Sequence, residues 1–231
     1  MAKHFDAYLE IGAKRAFVGA LDWPGWCRHG RSEAEALSSF LEFGPRYEEI
    51  LAGTRLGFVA PKKLEQLIVV ERLKGNATTD FGAPNVAPRV DKKQSCNADE
   101  IRRFEAILLA CWRAFDDTVE SARGKTLTTG PHGGGRSLEG IVDHVVGADI
   151  SYLRTVGWTW RPPKDAQTTE QLTATRHAII EALKASAAGK LPTRGPRGGK
   201  RWTARYFVRR VAWHVTAHVS EIERRTKPSL E

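Results

Sequence analysis

The sequence predicts an α+β protein in two parts, a small β-β-α-β unit followed by a helical one. Three observations carry that expectation. Short strand-like runs and one capped amphipathic helix occupy the first 75 residues, residues 76–97 lose all periodicity, and beyond Ala98 apolar residues recur at the 3/4 spacing of helices. At 231 residues the chain is long enough for two small domains, each with its own core.

In chain order, Ala7 to Ile11 and Ala16 to Ala20 read as strands joined by a hairpin turn at Gly12-Ala13-Lys14-Arg15. Ser32-x-x-Glu35 is a capping box and opens a helix expected to run to about Leu51. Leu64 to Val70, rich in Leu, Ile and Val, supplies another strand. From Gly75 to Asn97 the chain is dense in Gly, Pro, Asn and Asp, so residues 76–97 are predicted to be a linker between domains 1–75 and 98–231. Ile101 to Val119 reads as an apolar helix containing Cys111, expected to be a core residue. Cys27, Cys96 and Cys111 are odd in number and scattered, unlike a disulfide framework or a CxxC metal knuckle.

Pro131-His132-Gly133-Gly134-Gly135-Arg136 is expected to be a flexible connection, with Ser137 as the N-cap of the next helix. That helix carries Leu138, Ile141, Val145, Ala148 and Tyr152 on its apolar face, with His144 at the edge of it. On the last helix, Phe207, Val211, His214, His218 and Ile222 follow the spacing of a bundle seam. Four helical steps return the chain to within about 40° of its starting direction, so His214 and His218 point to one side, one turn apart. Two such imidazoles hold one metal ion, or each is a hydrogen-bonded core histidine; a third ligand decides, and His144 is the candidate. His4, His29, His132 and His177 lack partners at ligand spacing and read as surface residues. Glu221, three residues after His218, projects to nearly the same side. It either orients a ligand histidine, accepts a proton, or faces solvent paired with Arg224 or Arg225.

A net charge of +9 invites a nucleic-acid reading, and the charge concentrates in the loop before the last helix. There Arg194, Arg197, Lys200 and Arg201 are interleaved with glycines, with Trp202 and Tyr206 following. Such a loop follows a phosphate backbone, or binds the carboxylates of a small acidic thiol or substrate beside the metal, or is simply solvated. No run approaches the roughly 18 apolar residues of a membrane span, and the first ten residues lack a signal-peptide core. A cytoplasmic protein with no membrane partner is expected.

One His on a helix, a long interval, then Trp213-His214-x-x-x-His218 on the last helix resembles the DinB-like family of small metal-binding bundles, over about Ala98 to Arg225. The resemblance implies an up-down-down-up four-helix bundle with one divalent metal held by His144, His214 and His218. Characterised enzymes of that class transfer low-molecular-weight thiols or isomerise with their help. The first 70 residues resemble the HicB-like fold, through Asp22-Trp23-Pro24-Gly25 and Gly30-Arg31-Ser32-Glu33-Ala34-Glu35-Ala36. HicB proteins are antitoxins, but a metal bundle here replaces their DNA-binding tail, so that role is not carried over.

The expected function is therefore a metal-dependent enzyme of the thiol-transferase or hydrolase type, acting on a small molecule, with Glu221 as the catalytic candidate and the four basic loop residues as anchors for substrate or thiol. Zinc, nickel and iron all suit imidazole. The competing class is a non-enzymatic binding protein whose first half engages a protein or nucleic acid while the metal stabilises the bundle. A nucleic acid ranks behind a small molecule, and a second copy of the chain is a further candidate partner.

Overall fold

The structure, a computed structural model, describes residues 4–93, 96–129, 135–163 and 165–226. The chain is α+β and divides into two compact units, Met1–Gln94 and Ser95–Glu231.

The first unit is built on a four-stranded mixed sheet of order β3-β2-β1-β4, where β1 is Phe5–Ile11, β2 Ala16–Ala20, β3 Cys27–Gly30 and β4 Leu67–Lys74. The hairpin joins β1 to β2 antiparallel, with Ile11 opposite Ala16 and Gly12 N–H donating to the Arg15 carbonyl at 2.8 Å. β4 lies parallel to β1, with a register shift between Ala7 and Tyr8. β3 adds a strand to the expected order, and β4 begins three residues later than expected because Leu64–Gln66 forms a 3-10 turn.

Half of the expected capping box forms: Ser32 Oγ accepts from Glu35 N–H and starts α1, Glu33–Glu42, while the Glu35 carboxylate accepts from Arg31 N–H at 2.8 Å. The single helix expected to reach Leu51 is split, because Pro45 sits in the first turn of α2, Gly44–Ile50. Proline lacks the N–H an unbroken helix would use there, and its ring disfavours helical geometry in the preceding residue. Trp26 is the centre of this unit's core. Its indole stacks on Phe40 at 4.1 Å and 6°, and its Nε1–H donates to the Phe40 carbonyl at 2.8 Å. The Tyr47 hydroxyl donates to the Pro24 carbonyl at 2.6 Å, fixing the Trp-Pro-Gly-Trp turn against α2.

Residues 76–93 belong to the first unit and are not the free linker that their composition suggests. Asn76 caps a short helix, α3, Ala77–Phe81, and Arg89–Lys92 forms a 3-10 turn. The reason is Glu10, fully buried on β1. Its carboxylate accepts from the Thr79 hydroxyl, from Asn85 N–H at 2.8 Å and from Val86 N–H at 2.9 Å. A buried carboxylate requires such donors, and here the segment that looked like a linker supplies them.

The second unit contains four long helices: α4 Ala98–Ala122, α5 Leu138–Val156, α6 Thr168–Ala187 and α7 Ala204–Thr226. α4 packs on α6 and α7, and α5 on α6 and α7. Asn97 caps α4 in a reciprocal box with Glu100, and Ser137 caps α5 as expected. α7 is buried almost throughout, and every residue of the expected seam, Phe207, Val211, His214, His218 and Ile222, lies in the core. Cys111 is fully buried, and burial pushes its thiol up to about 12, so it packs as an inert apolar group. Glycines 133 and 134 and His132 lie outside the described residues.

Candidate metal centre

The i, i+4 spacing on α7 places the His214 and His218 rings side by side, Nε2 to Nε2 at 3.1 Å, and α5 brings His144 Nε2 to 3.1 Å from His214 Nε2. The three ligand atoms all lie within 4.8 Å of one another. His214 and His218 are buried and His144 is half-buried. Among the described residues no other group of three such side chains has this geometry.

Glu221 Oε2 lies 2.8 Å from His218 Nδ1. An ionised carboxylate only accepts, so that nitrogen carries the hydrogen and a neutral His218 presents a bare lone pair at Nε2. His214 is held well below its usual pKa, first by burial and then by the charges of His218 and His144. A neutral His214 with its hydrogen on Nε2 shares it between both neighbours in a three-centre bond; with the hydrogen on Nδ1, which has no partner among the described residues, it turns a third lone pair toward them. In the second case one cation is shared by three lone pairs. Zinc–nitrogen bonds of about 2.0–2.1 Å in a tetrahedron set ligand nitrogens roughly 3.3 Å apart, close to the spacing seen. Burial likewise lowers the His144 pKa, ahead of the nearby Arg136 charge, which keeps its lone pair available.

Behind the cluster, both oxygens of Glu221 are engaged: Oε2 with His218, and Oε1 with Arg225 Nη1 at 2.9 Å. The hydrogen bond with His218 contributes most to holding the Glu221 carboxyl down at about 2. Arg225 also donates through Nε to the Thr128 carbonyl at 2.9 Å and through Nη2 to the Arg136 carbonyl at 2.8 Å. The approach to α5 is thus tied to α7 through one guanidinium. Gly135 makes room for it: at φ +144, a Cβ there would fall 2.6 Å from Arg225 Nη2. Arg225 was visible in the sequence only as a partner for Glu221 at i+4; its carbonyl contacts join segments some 90 residues apart and leave no local signal.

The basic loop precedes α7. Arg194, Arg197 and Lys200 are exposed. Arg201 is half-buried against the C-terminal end of α5, with Nη1 3.5 Å from the Val156 carbonyl, where a cation complements the helix dipole. Val156 is twelve residues beyond His144, about 18 Å along the helix axis. Only Trp202 leads from the loop toward the cluster: its ring lies 5.4 Å from Tyr152, whose ring is 5.9 Å from His214. His4, His29 and His177 are exposed, as expected, though His29 packs on Phe17 at 5.3 Å.

A residue that the sequence did not single out stands beside the cluster. Arg210, one turn before His214, is buried at 6% exposure, yet its only hydrogen bond among the described residues is Nη2 to the Tyr152 hydroxyl at 3.3 Å. Its guanidinium carbon lies 4.8 Å from the Trp213 ring, 5.4 Å from Tyr152 and 6.0 Å from Trp202. Compared with known protein families, with curated proteins and with solved structures, the chain finds no match.

Proposed function

We propose that the second unit is a DinB-like bundle that binds one divalent metal through His144, His214 and His218 and works as a metal-dependent enzyme of the thiol-transferase or hydrolase type. The observation that carries the reading is the convergence of three Nε2 atoms at 3.1 Å steps, all within 4.8 Å of one another. The up-down-down-up course is supported by four contacts. Glu100 meets Arg205 at the starts of α4 and α7, and Thr168 at the start of α6 donates to Asp143 near the start of α5. Arg176 on α6 pairs with Asp116 toward the end of α4, and Trp202 N–H, just before α7, donates to the Thr155 carbonyl near the end of α5. These pairs make α4 parallel to α7, α5 parallel to α6, and the two sets antiparallel. The first unit is read as HicB-like from its hairpin, its capped helix and its parallel return strand.

When bound, a divalent ion on three imidazoles keeps a position open and lowers the pKa of the water or thiol it takes up. The protein's own groups prepare that position. Glu221 fixes the His218 proton on Nδ1, and Arg225 holds both Glu221 and the carbonyls that precede α5. With both its oxygens committed, Glu221 acts as a positioning residue. Tyr152 and Trp213, with rings 5.9 Å from that of His214, cover one side of it.

Equilibrium dialysis against zinc tests this: the full chain should retain one equivalent, and His144→Ala, His214→Ala and His218→Ala should each bind at least tenfold more weakly. Stoichiometric zinc in the His144→Ala protein would remove α5 from the site. Metal-dependent conjugation of a low-molecular-weight thiol to an electrophile then separates the enzyme from a bundle whose metal is structural.

A further inference from the structure

We infer that Arg210 is the receptor for a carboxylate carried by the small molecule that approaches the histidine cluster. A guanidinium has five N–H donors, and in Arg210 a single one is taken, by a neutral hydroxyl. Nε and Nη1 are buried with no partner among the described residues. Removing a charge from water without a counter-ion costs several kcal/mol, and no carboxylate of the described residues pairs with it. The neighbours are aromatic, and ring faces offset only part of that cost. An incoming anion offsets the rest.

The position of Arg210 gives the anion its place. Tyr152 and Trp213 each touch both groups: the Tyr152 ring is 5.9 Å from His214 and 5.4 Å from the guanidinium, and the Trp213 ring is 5.9 Å and 4.8 Å away. The guanidinium and the His214 imidazole therefore share one aromatic enclosure, a helical turn apart. The outer wall is Tyr152 and Trp202, both half-buried, so an entering ligand displaces rings and leaves the helix backbone in place. One cation between flat ring faces matches a planar monoanion, which a guanidinium binds with two parallel hydrogen bonds. A tetrahedral dianion fits those flat faces less well than a planar monoanion does. The ligand's destination at the metal rests on the function proposed above; the capacity of Arg210 to bind a carboxylate does not.

The test is therefore made on the metal-free full chain, with acetate as the probe, chloride-matched ionic strength, and tryptophan emission, to which Trp202 and Trp213 contribute, as the readout. Wild type should show a saturable change, Arg210→Gln should bind acetate at least tenfold more weakly, and inorganic phosphate should bind wild type less tightly than acetate does. Tyr152→Phe, which removes the hydroxyl but leaves Arg210, should keep acetate binding within about threefold and keeps the test valid if Arg210→Gln fails to fold. Equal acetate responses in wild type and Arg210→Gln, no saturable response in wild type, loss of binding in Tyr152→Phe, or tighter binding of phosphate would each overturn the inference. Zinc retention, measured separately by dialysis, should be the same in wild type and Arg210→Gln; its failure in wild type would count against the metal centre and leave the acetate result standing.

Discussion

At the scale of single residues, Glu221 does more than its place on the helix face suggests, because its two oxygens hold two different neighbours in register. Losing the charge while keeping the shape should loosen the His218 ring without emptying the site. Glu221→Gln is expected to weaken zinc binding by about 10–100-fold, the usual cost of removing a partner behind a metal-bound imidazole. Competition with a chromogenic chelator reads this directly, and unchanged affinity would mean that the carboxylate serves only Arg225. The pairing of His214 with His218 was legible in the sequence because i, i+4 spacing on an apolar stripe is a local signal, and His144, on another helix, was a candidate only. Arg210 and the Arg225 contacts were not, because burial and carbonyl partners are set by other elements.

At the scale of elements, α5 carries a cost. Asp149 sits on its buried stripe between Val146 and Leu153, and neither carboxylate oxygen has a hydrogen-bond partner among the described residues. Burial raises its pKa to about 8 from the ordinary 3.8, against a lowering by Arg176. Unfolded, the group ionises near pH 4, whereas folded it keeps its proton to about pH 8. The folded state therefore binds the extra proton, and stability falls as pH rises through that window, by at most about 1.4 kcal/mol per unit. Asp149→Asn should raise Tm, by an amount that grows from pH 5 to pH 8. A gain independent of pH would show that the carboxylate is already paired or hydrated in the fold. The periodicity of α5 was legible, but an aspartate on the stripe could not be told from one at its edge, since helical steps of about 100° leave its direction to the packing of the neighbouring helices.

At the scale of the whole molecule, the α+β division was legible from the change of period, and its boundary was misplaced for a physical reason. Composition reports what a segment does alone, and residues 76–93 are rich in turn formers; Glu10 reports what a distant strand requires of them. A first unit ending at residue 75 should thus be less stable than one ending at 93, since the buried carboxylate would lose every donor described for it. Each unsatisfied buried group costs about 1–3 kcal/mol. Urea unfolding of the two fragments checks the difference; equal midpoints would mean that the 76–93 segment is an ornament on the sheet. In the same way Pro45 and the 3-10 turn at Leu64–Gln66 moved helix and strand ends by a few residues without altering their order.

The proposed function depends on one centre in which α5 and α7 meet on a metal. X-ray absorption at the metal edge of the zinc-loaded full chain addresses it most directly. Three imidazole nitrogens at about 2.0–2.1 Å and a fourth light atom are the predicted shell. A shell containing sulfur, or fewer than three imidazoles, would contradict it.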